Sequence, residues 1–349
     1  MILWLSLIGL VLAALLYKWG RYFYHGFRLP GPSGLPILGN LLSFRTKDLC
    51  VIFNEMLKYL QIYGPITRLW LGPVLVVIVA GPEEVARVVD QDKVGHRGRY
   101  SERILKPFFK EGLLAQEDTN VWKIHRKIVT NAFQNSMLNK FVENFAKNSE
   151  ILASRLGSLA DGAHAHDILP YLCQCTMDII AETCFAYNMN AQVDNNVVAL
   201  EHNKVILDST QARISDPLLI VDWLFYRTSL GRKYREAVRY YHDIIRGRLE
   251  ERRAGVGVGT APTLLGLLLQ SGQLSEDDIL GEISTVGGAG TDTTASLVTF
   301  LLAILAEHQD IQEKVLEEQR GIFQEDFLRP VKSEDLPRMV YLEQVKYTN

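Results

Sequence analysis

The residues best suited to chemistry lie close together, in Gly287-Gly288-Ala289-Gly290-Thr291-Asp292-Thr293-Thr294. Three glycines crowd into four positions, although each interior glycine costs a helix about 1 kcal/mol relative to alanine. Three threonines surround one carboxylate, and from Ala295 to Leu305 the chain turns strongly apolar. One reading is a core helix weakened by glycine, with a partly solvated polar notch. The other uses every feature. Small residues let a flat group approach the backbone, threonine hydroxyls open the local hydrogen-bond ladder to water, and an acid beside an alcohol relays protons inward.

The element carrying these residues reads as one helix of roughly 30 residues, from Ser275 as N-cap, with acidic residues in its first turn, to about His308. Most of the chain is helical by apolar spacing, through Met137–Leu159, Ile168–Tyr187, Tyr234–Leu249 and Ile311–Val315. Ile66–Leu71 and Val74–Ala80 are β-branched runs split by Gly72-Pro73, and Gly81-Pro82-Glu83-Glu84 opens a helix with proline at its first position. Arg252–Thr263 reads as a loop between helices, because its glycines miss GxGxxG spacing and no strand precedes them. GxSxG, GxxxxGK[ST] and HExxH do not occur.

The 349 residues are 48% hydrophobic and 22% charged, with a net charge of −3, which gives no global basic field for nucleic acid. Cys50, Cys173, Cys175 and Cys184 form no CxxC pair and no zinc-ligand spacing, and they read as reduced, buried thiols. Met1–Tyr17 is almost wholly apolar, and Lys18, Arg21 and Arg28 follow it. This favours an uncleaved transmembrane signal anchor with the domain on the cytosolic face over a cleaved signal peptide. Residues 18–40 form a basic, proline-rich linker, with Leu29-Pro30-Gly31-Pro32-Ser33-Gly34-Leu35-Pro36 as a stiff spacer. Leu218–Tyr226, with Trp223 and Phe225, suits either a buried amphipathic segment or a membrane-proximal roof over a substrate channel.

Ala289-Gly290-Thr291-Asp292-Thr293-Thr294 resembles the [AG]Gx[DE]T[TS] element of cytochrome P450 long helices. Trp122-Lys123-Ile124-His125-Arg126 resembles the family's WxxxR element, and the likeness runs from Pro30-Gly31-Pro32 and Gly39-Asn40 to Tyr341-Leu342-Glu343. Gly112-Leu113-Leu114, Thr130-Asn131-Ala132-Phe133, Glu282 and Thr285 add a likeness to clan 4 members, particularly insect ones. The fold implied is mostly α with a long central helix, a small β region near the N-terminus and one N-terminal anchor helix. Residues 41–349 would be a partial cytochrome P450 domain without its C-terminal haem-binding portion.

By this resemblance the cofactor is haem b. Trp122 and Arg126 would reach a haem propionate, Ala289, Gly290 and Thr294 would lie against haem, Thr293 would face dioxygen, and Asp292 would feed protons from solvent. Ala289 stands where some fatty-acid hydroxylases carry a haem-linking glutamate, so no covalent ester is expected. Implied partners are an NADPH-dependent cytochrome P450 reductase, cytochrome b5, membrane lipid and an apolar substrate such as a fatty acid, terpenoid, hormone precursor or xenobiotic. The implied location is the endoplasmic reticulum membrane.

One departure matters. The family's thiolate ligand sits on an FxxGxxxCxG loop after an ExxR helix, but no cysteine follows Cys184. Tyr341–Val345 still resembles the start of the ExxR helix, whereas Lys346–Asn349 does not continue it, and Thr348 stands about where the glutamate belongs. The expectation is therefore that these 349 residues are inactive by themselves, either part of a longer monooxygenase or a membrane-anchored, non-catalytic product.

Overall fold

A computed structural model describes residues 20–35, 38–44, 48–89, 99–195, 197–256 and 263–345. The expected anchor (Met1–Tyr17), part of the linker, Gly257 and Gly259 of the loop, and Lys346–Asn349 lie outside the described residues. The chain divides into two compact units, one holding Met1–His96 with Thr210–Arg227 and the other Arg97–Ser209 with Thr228–Asn349.

In the first unit, residues 20–27 are helical, α1 spans Leu49–Tyr63, β1 spans Ile66–Leu71, β2 spans Val74–Val79 and α2 spans Pro82–Val89. β1 and β2 pair antiparallel around Gly72-Pro73, with Leu71 opposite Val74. The proline-rich segment is bound to β1. Arg68 N–H donates to Pro30 O at 2.8 Å, and its guanidinium donates to Leu29 O and Pro32 O. A Cβ on Gly31 would stand 2.3 Å from Arg68 O, so only glycine allows this approach. Trp70 gathers Tyr22, Phe23 and Phe27 at ring-centroid distances of 5.4, 4.8 and 5.5 Å.

Within Leu218–Tyr226 the aromatic residues Trp223 and Phe225 differ in exposure. Phe225 is fully buried, while Trp223 is 60% exposed and carries the Arg227 guanidinium 5.4 Å above its ring. Buried Arg213 organises this turn by donating to Leu219 O, Ile220 O and the Asp222 carboxylate.

The second unit contains α3 (Arg99–Phe109), α4 (Thr119–Thr130), α5 (Asn135–Leu159), α6 (Leu169–Phe185), most of α7 (Val197–Ser215), α8 (Ser229–Arg253), α9 (Leu264–Ser271), α10 (Glu276–Glu307), α11 (Gln309–Phe323) and α12 (Val340–Val345). The long helix α10 starts and stops where its residues direct. Ser275 Oγ accepts from Asp278 N–H, Asp278 Oδ2 accepts from Ser275 N–H at 2.8 Å, and His308 closes the other end. Ile128 and Val129 of α4, Leu264, Leu265 and Leu268 of α9, and Ile279, Leu280 and Ile283 of α10 share one core cluster. Glu318 of α11 accepts from the Tyr341 and Leu342 amides and so starts α12.

Two features depart from the sequence reading. Cys50 is exposed on the first turn of α1, whereas Cys173, Cys175 and Cys184 are buried as expected. A close backbone joint, invisible to periodicity, is Gly112 against Gly281. A Cβ on Gly112 would stand 2.3 Å from Gly281 O, and one on Gly281 would stand 2.5 Å from Gly112 N.

Gly112→Ala is therefore expected to lower the unfolding free energy by about 1–3 kcal/mol. Gly321→Ala in α11, where a Cβ meets nothing within 4 Å, is expected to raise it by roughly 0.5–1 kcal/mol. Chemical denaturation of both variants beside the parent checks the pair, and a neutral Gly112→Ala would refute the joint.

Candidate functional site

α10 is α-helical without interruption from Glu276 to Glu307, so the expected local opening of its ladder is absent. The threonines explain why. Thr291 Oγ1 donates to Gly287 O at 2.9 Å, Thr293 Oγ1 to Ala289 O at 2.6 Å, and Thr299 Oγ1 to Ala295 O at 2.8 Å. Each hydroxyl reaches back to the carbonyl four residues earlier, its nearest acceptor, and leaves the backbone bonds closed.

At roughly 100° per residue, α10 presents three functional faces. Asp278, Glu282, Thr285, Ala289 and Thr293 follow one stripe, with Asp292 at its edge. Along it Glu282 is fully buried, Asp292 is half-buried, and Ala289 and Thr293 are exposed. Asp292 Oδ1 lies 4.0 Å from Cys173 Sγ of α6. The second face turns Val286, Gly290 and Thr294 into a largely apolar hollow of about 320 Å³ shared with Phe133, Phe141 and Ile180. The third turns Ser284, Gly287, Gly288 and Thr291 into a cavity of about 60 Å³ shared with Phe108 and Tyr241.

The sequence reading set Ala289, Gly290 and Thr294 against haem and Thr293 toward dioxygen; in the structure Gly290 and Thr294 line the hollow beside Ile180, while Ala289 and Thr293 lie on the exposed stripe. The glycines serve helix packing. A Cβ on Gly290 would stand 2.7 Å from Ile180 Cδ1, and one on Gly288 would stand 3.1 Å from Phe109 Cε1. Ala289, Asp292 and Thr293 do share one side of the helix.

α4 begins under Asp118, whose carboxylate accepts from Asn120 and Val121 N–H. Its outward side carries Trp122, half-buried, and Arg126, exposed, with the guanidinium carbon 5.0 Å from the indole centroid. Its inward side carries Ile128, Val129 and His125. His125 Nδ1 meets Glu282 Oε1 at 2.8 Å, both side chains being buried, and His125 Nε2 stands 3.9 Å from Asp278 Oδ1. The hydrogen bond to Glu282 raises the His125 pKa above its ordinary value against the opposing effect of burial. The charges of Glu282, Asp278 and Glu111 act in the same upward direction.

His125, Glu282 and Thr285 occurred in the sequence only as members of family-like strings. Their pairing was not legible, because 157 positions separate His125 from Glu282. A carboxylate inside the apolar first half of α10 was the one available signal.

The donors present suit one side of a flat, carboxylate-bearing macrocycle. Arg126 has no carboxylate partner among the described residues and matches a propionate, while Ala289 and Thr293 give a small-residue face. The thiolate position is different. Burial pushes the Cys173 thiol up to about 11, and Cys175 and Cys184 up to about 12, so these groups resist ionisation. Cys50 is exposed in the other compact unit. None of the three buried thiols is placed as an iron ligand.

The cytochrome P450 family model matches residues 29–346, so the chain belongs to the cytochrome P450 family, whose members are haem monooxygenases. It is similar to cytochrome P450 4d2 of Drosophila melanogaster, at 30% identity over 340 residues covering 91% of this chain and 67% of that one. It is also similar to cytochrome P450 4c3 of the same fly, at 29% identity covering 90% and 64%, and to mouse cytochrome P450 4V2, at 27% covering 88% and 62%. These relatives give it a clan 4 character, and the chain spans about two thirds of their length.

Because the folded-state pKa of His125 is raised, the native chain binds more protons there than the unfolded chain. The stability from this pair is complete below the ordinary histidine value near 6.5 and is lost as pH rises through the folded value. Denaturation of the parent from pH 6 to pH 9 should show that loss. A His125→Gln variant should lack it, and identical slopes would refute an ionised clasp.

Proposed function

We propose that the full protein is a monooxygenase that inserts one oxygen atom of dioxygen into an apolar small molecule. The substrate class is a fatty acid, terpenoid, hormone precursor or xenobiotic. Electrons come from an NADPH-dependent reductase, with cytochrome b5 as a further donor, at the cytosolic face of the endoplasmic reticulum membrane. The observation that carries this reading is that Ala289, Asp292 and Thr293 share one side of α10, while buried His125 ties the Trp122–Arg126 platform of α4 to the same stripe.

Haem supplies the oxidising chemistry when bound. The residues of this chain hold and protect it. Arg126 offers a fork of N–H donors to a carboxylate, and Trp122 braces the guanidinium from beneath. Thr293 donates its own proton to Ala289 O, which leaves its lone pairs free to accept from a donor beyond the helix surface. Asp292 is half-buried beside it and open enough to exchange protons with solvent. Phe300, 67% exposed, extends this side as an apolar surface.

A second reading applies to residues 1–349 alone. The buried thiols resist ionisation, so by themselves these residues would not hold haem through a thiolate. Expressed alone, they are expected to give no reduced carbon-monoxide band near 450 nm, and a clear band would overturn this. In a polypeptide extended through a cysteine loop, Arg126→Ala is expected to lower retained haem. Thr293→Ala is expected to keep haem and divert reducing equivalents to peroxide, and unchanged coupling would count against the acid–alcohol role.

A further inference from the structure

Two polar atoms of the α10 stripe are buried with no hydrogen-bond partner among the described residues: Glu282 Oε2 and Thr285 Oγ1. A bare carboxylate oxygen in a dry interior is costly, so its retention calls for a reason. Its surroundings form an ordered series. Asp278, at the solvent end, uses Oδ2 in the capping box and turns Oδ1 toward His125 Nε2. His125 Nδ1 contacts Glu282 Oε1, Glu282 Oε2 is bare, and Thr285 lies one turn further along the same face. His125 thus stands between two carboxylates, hydrogen-bonded to the buried one at 2.8 Å and 3.9 Å from the partly exposed one, an arrangement suited to proton transfer.

We propose that Asp278, His125, Glu282 and Thr285 form a proton-uptake line running from solvent at the start of α10 to the face of Ala289 and Thr293. This is an entry separate from Asp292, and it rests on the monooxygenase reading, whose reaction consumes protons. The ionised His125 releases its Nδ1 proton to the Glu282 Oε1 carboxylate, and a half-turn of the neutral imidazole brings its bare nitrogen to Asp278, which passes on a proton taken from solvent. A second half-turn restores the imidazolium. Glu282 turns its carboxyl and discharges the proton it received toward Thr285. One proton enters and one leaves, and no electrons move. Thr285 to Thr293 is about 12 Å along the helix axis, with exposed Ala289 between them, a stretch that water would have to bridge. The charged groups around His125 are Glu282 and Asp278 of α10 and Glu111 beyond α3, all acidic, so the imidazolium is favoured during transfer.

The test uses the full-length holoenzyme with its reductase. Thr285→Val preserves shape and removes only the hydroxyl, so a purely structural Thr285 predicts unchanged coupling. The line predicts unchanged haem content and unfolding midpoint, with peroxide released per NADPH consumed rising about tenfold and a larger solvent isotope effect. Glu282→Gln is expected to do the same and to lower the His125 pKa in an NMR titration. If that variant fails to fold, Thr285→Val decides alone. Normal coupling in Thr285→Val, or an unmoved His125 titration in Glu282→Gln, overturns the line while leaving the monooxygenase reading intact. A parent that binds no haem overturns the monooxygenase reading, and the line loses its destination.

Discussion

The second compact unit depends on one seam, where α10 meets α4 and the turn after α3. Gly112 and Gly281 bring two backbones closer than any Cβ permits, and the His125–Glu282 pair lies one residue further along α10. A carboxylate held at this buried seam is stabilised by a protonated partner at hydrogen-bond distance, which His125 supplies to Glu282 Oε1. Removing either partner from such a buried pair costs about 3–5 kcal/mol, because the survivor keeps an uncompensated charge. The seam therefore sets how α4 lies on α10, and with it where Trp122 and Arg126 stand.

α10 serves three neighbours with three faces. Its glycines admit Ile180 of α6 and Phe109 of α3, its buried first half anchors the core shared with α9, and its polar stripe carries the groups suited to proton transfer. A helix this apolar passes a membrane-span criterion by length and composition. Its acidic first turn, its glycine contacts with α6 and its buried ion pair instead suit the interior of a helical domain. The unbroken ladder shows that small residues alone do not open a helix, because threonine hydroxyls spend their protons on carbonyls within it.

Much of the architecture was legible without coordinates. The span of α10 from its Ser275 cap to His308, the strand pair around Gly72-Pro73, the proline-led start of α2 and the helical character of α5, α6, α8 and α11 follow from caps, turn residues and apolar period. Trp122 and Arg126 were expected on one helix face and stand there. A motif read as a string does not tell which neighbour each residue meets, because successive residues turn by roughly 100°. That Gly290 and Thr294 line the hollow beside Ile180 while Ala289 and Thr293 lie on the stripe was decided by packing. The exposure of Cys50 was missed because composition does not separate a buried thiol from one on an exposed first turn.

The sequence by itself determined the local elements and the family likeness, because caps, periodicity and short motifs act over a few residues. Tertiary structure alone decided which helix face each glycine serves, that Gly112 must meet Gly281, and that His125 and Glu282 share a proton across 157 positions. These are outcomes of packing. A carboxylate and an imidazole carry no mark of their partner in the chain, and only when surrounding apolar surface has driven out water does the low dielectric force them together.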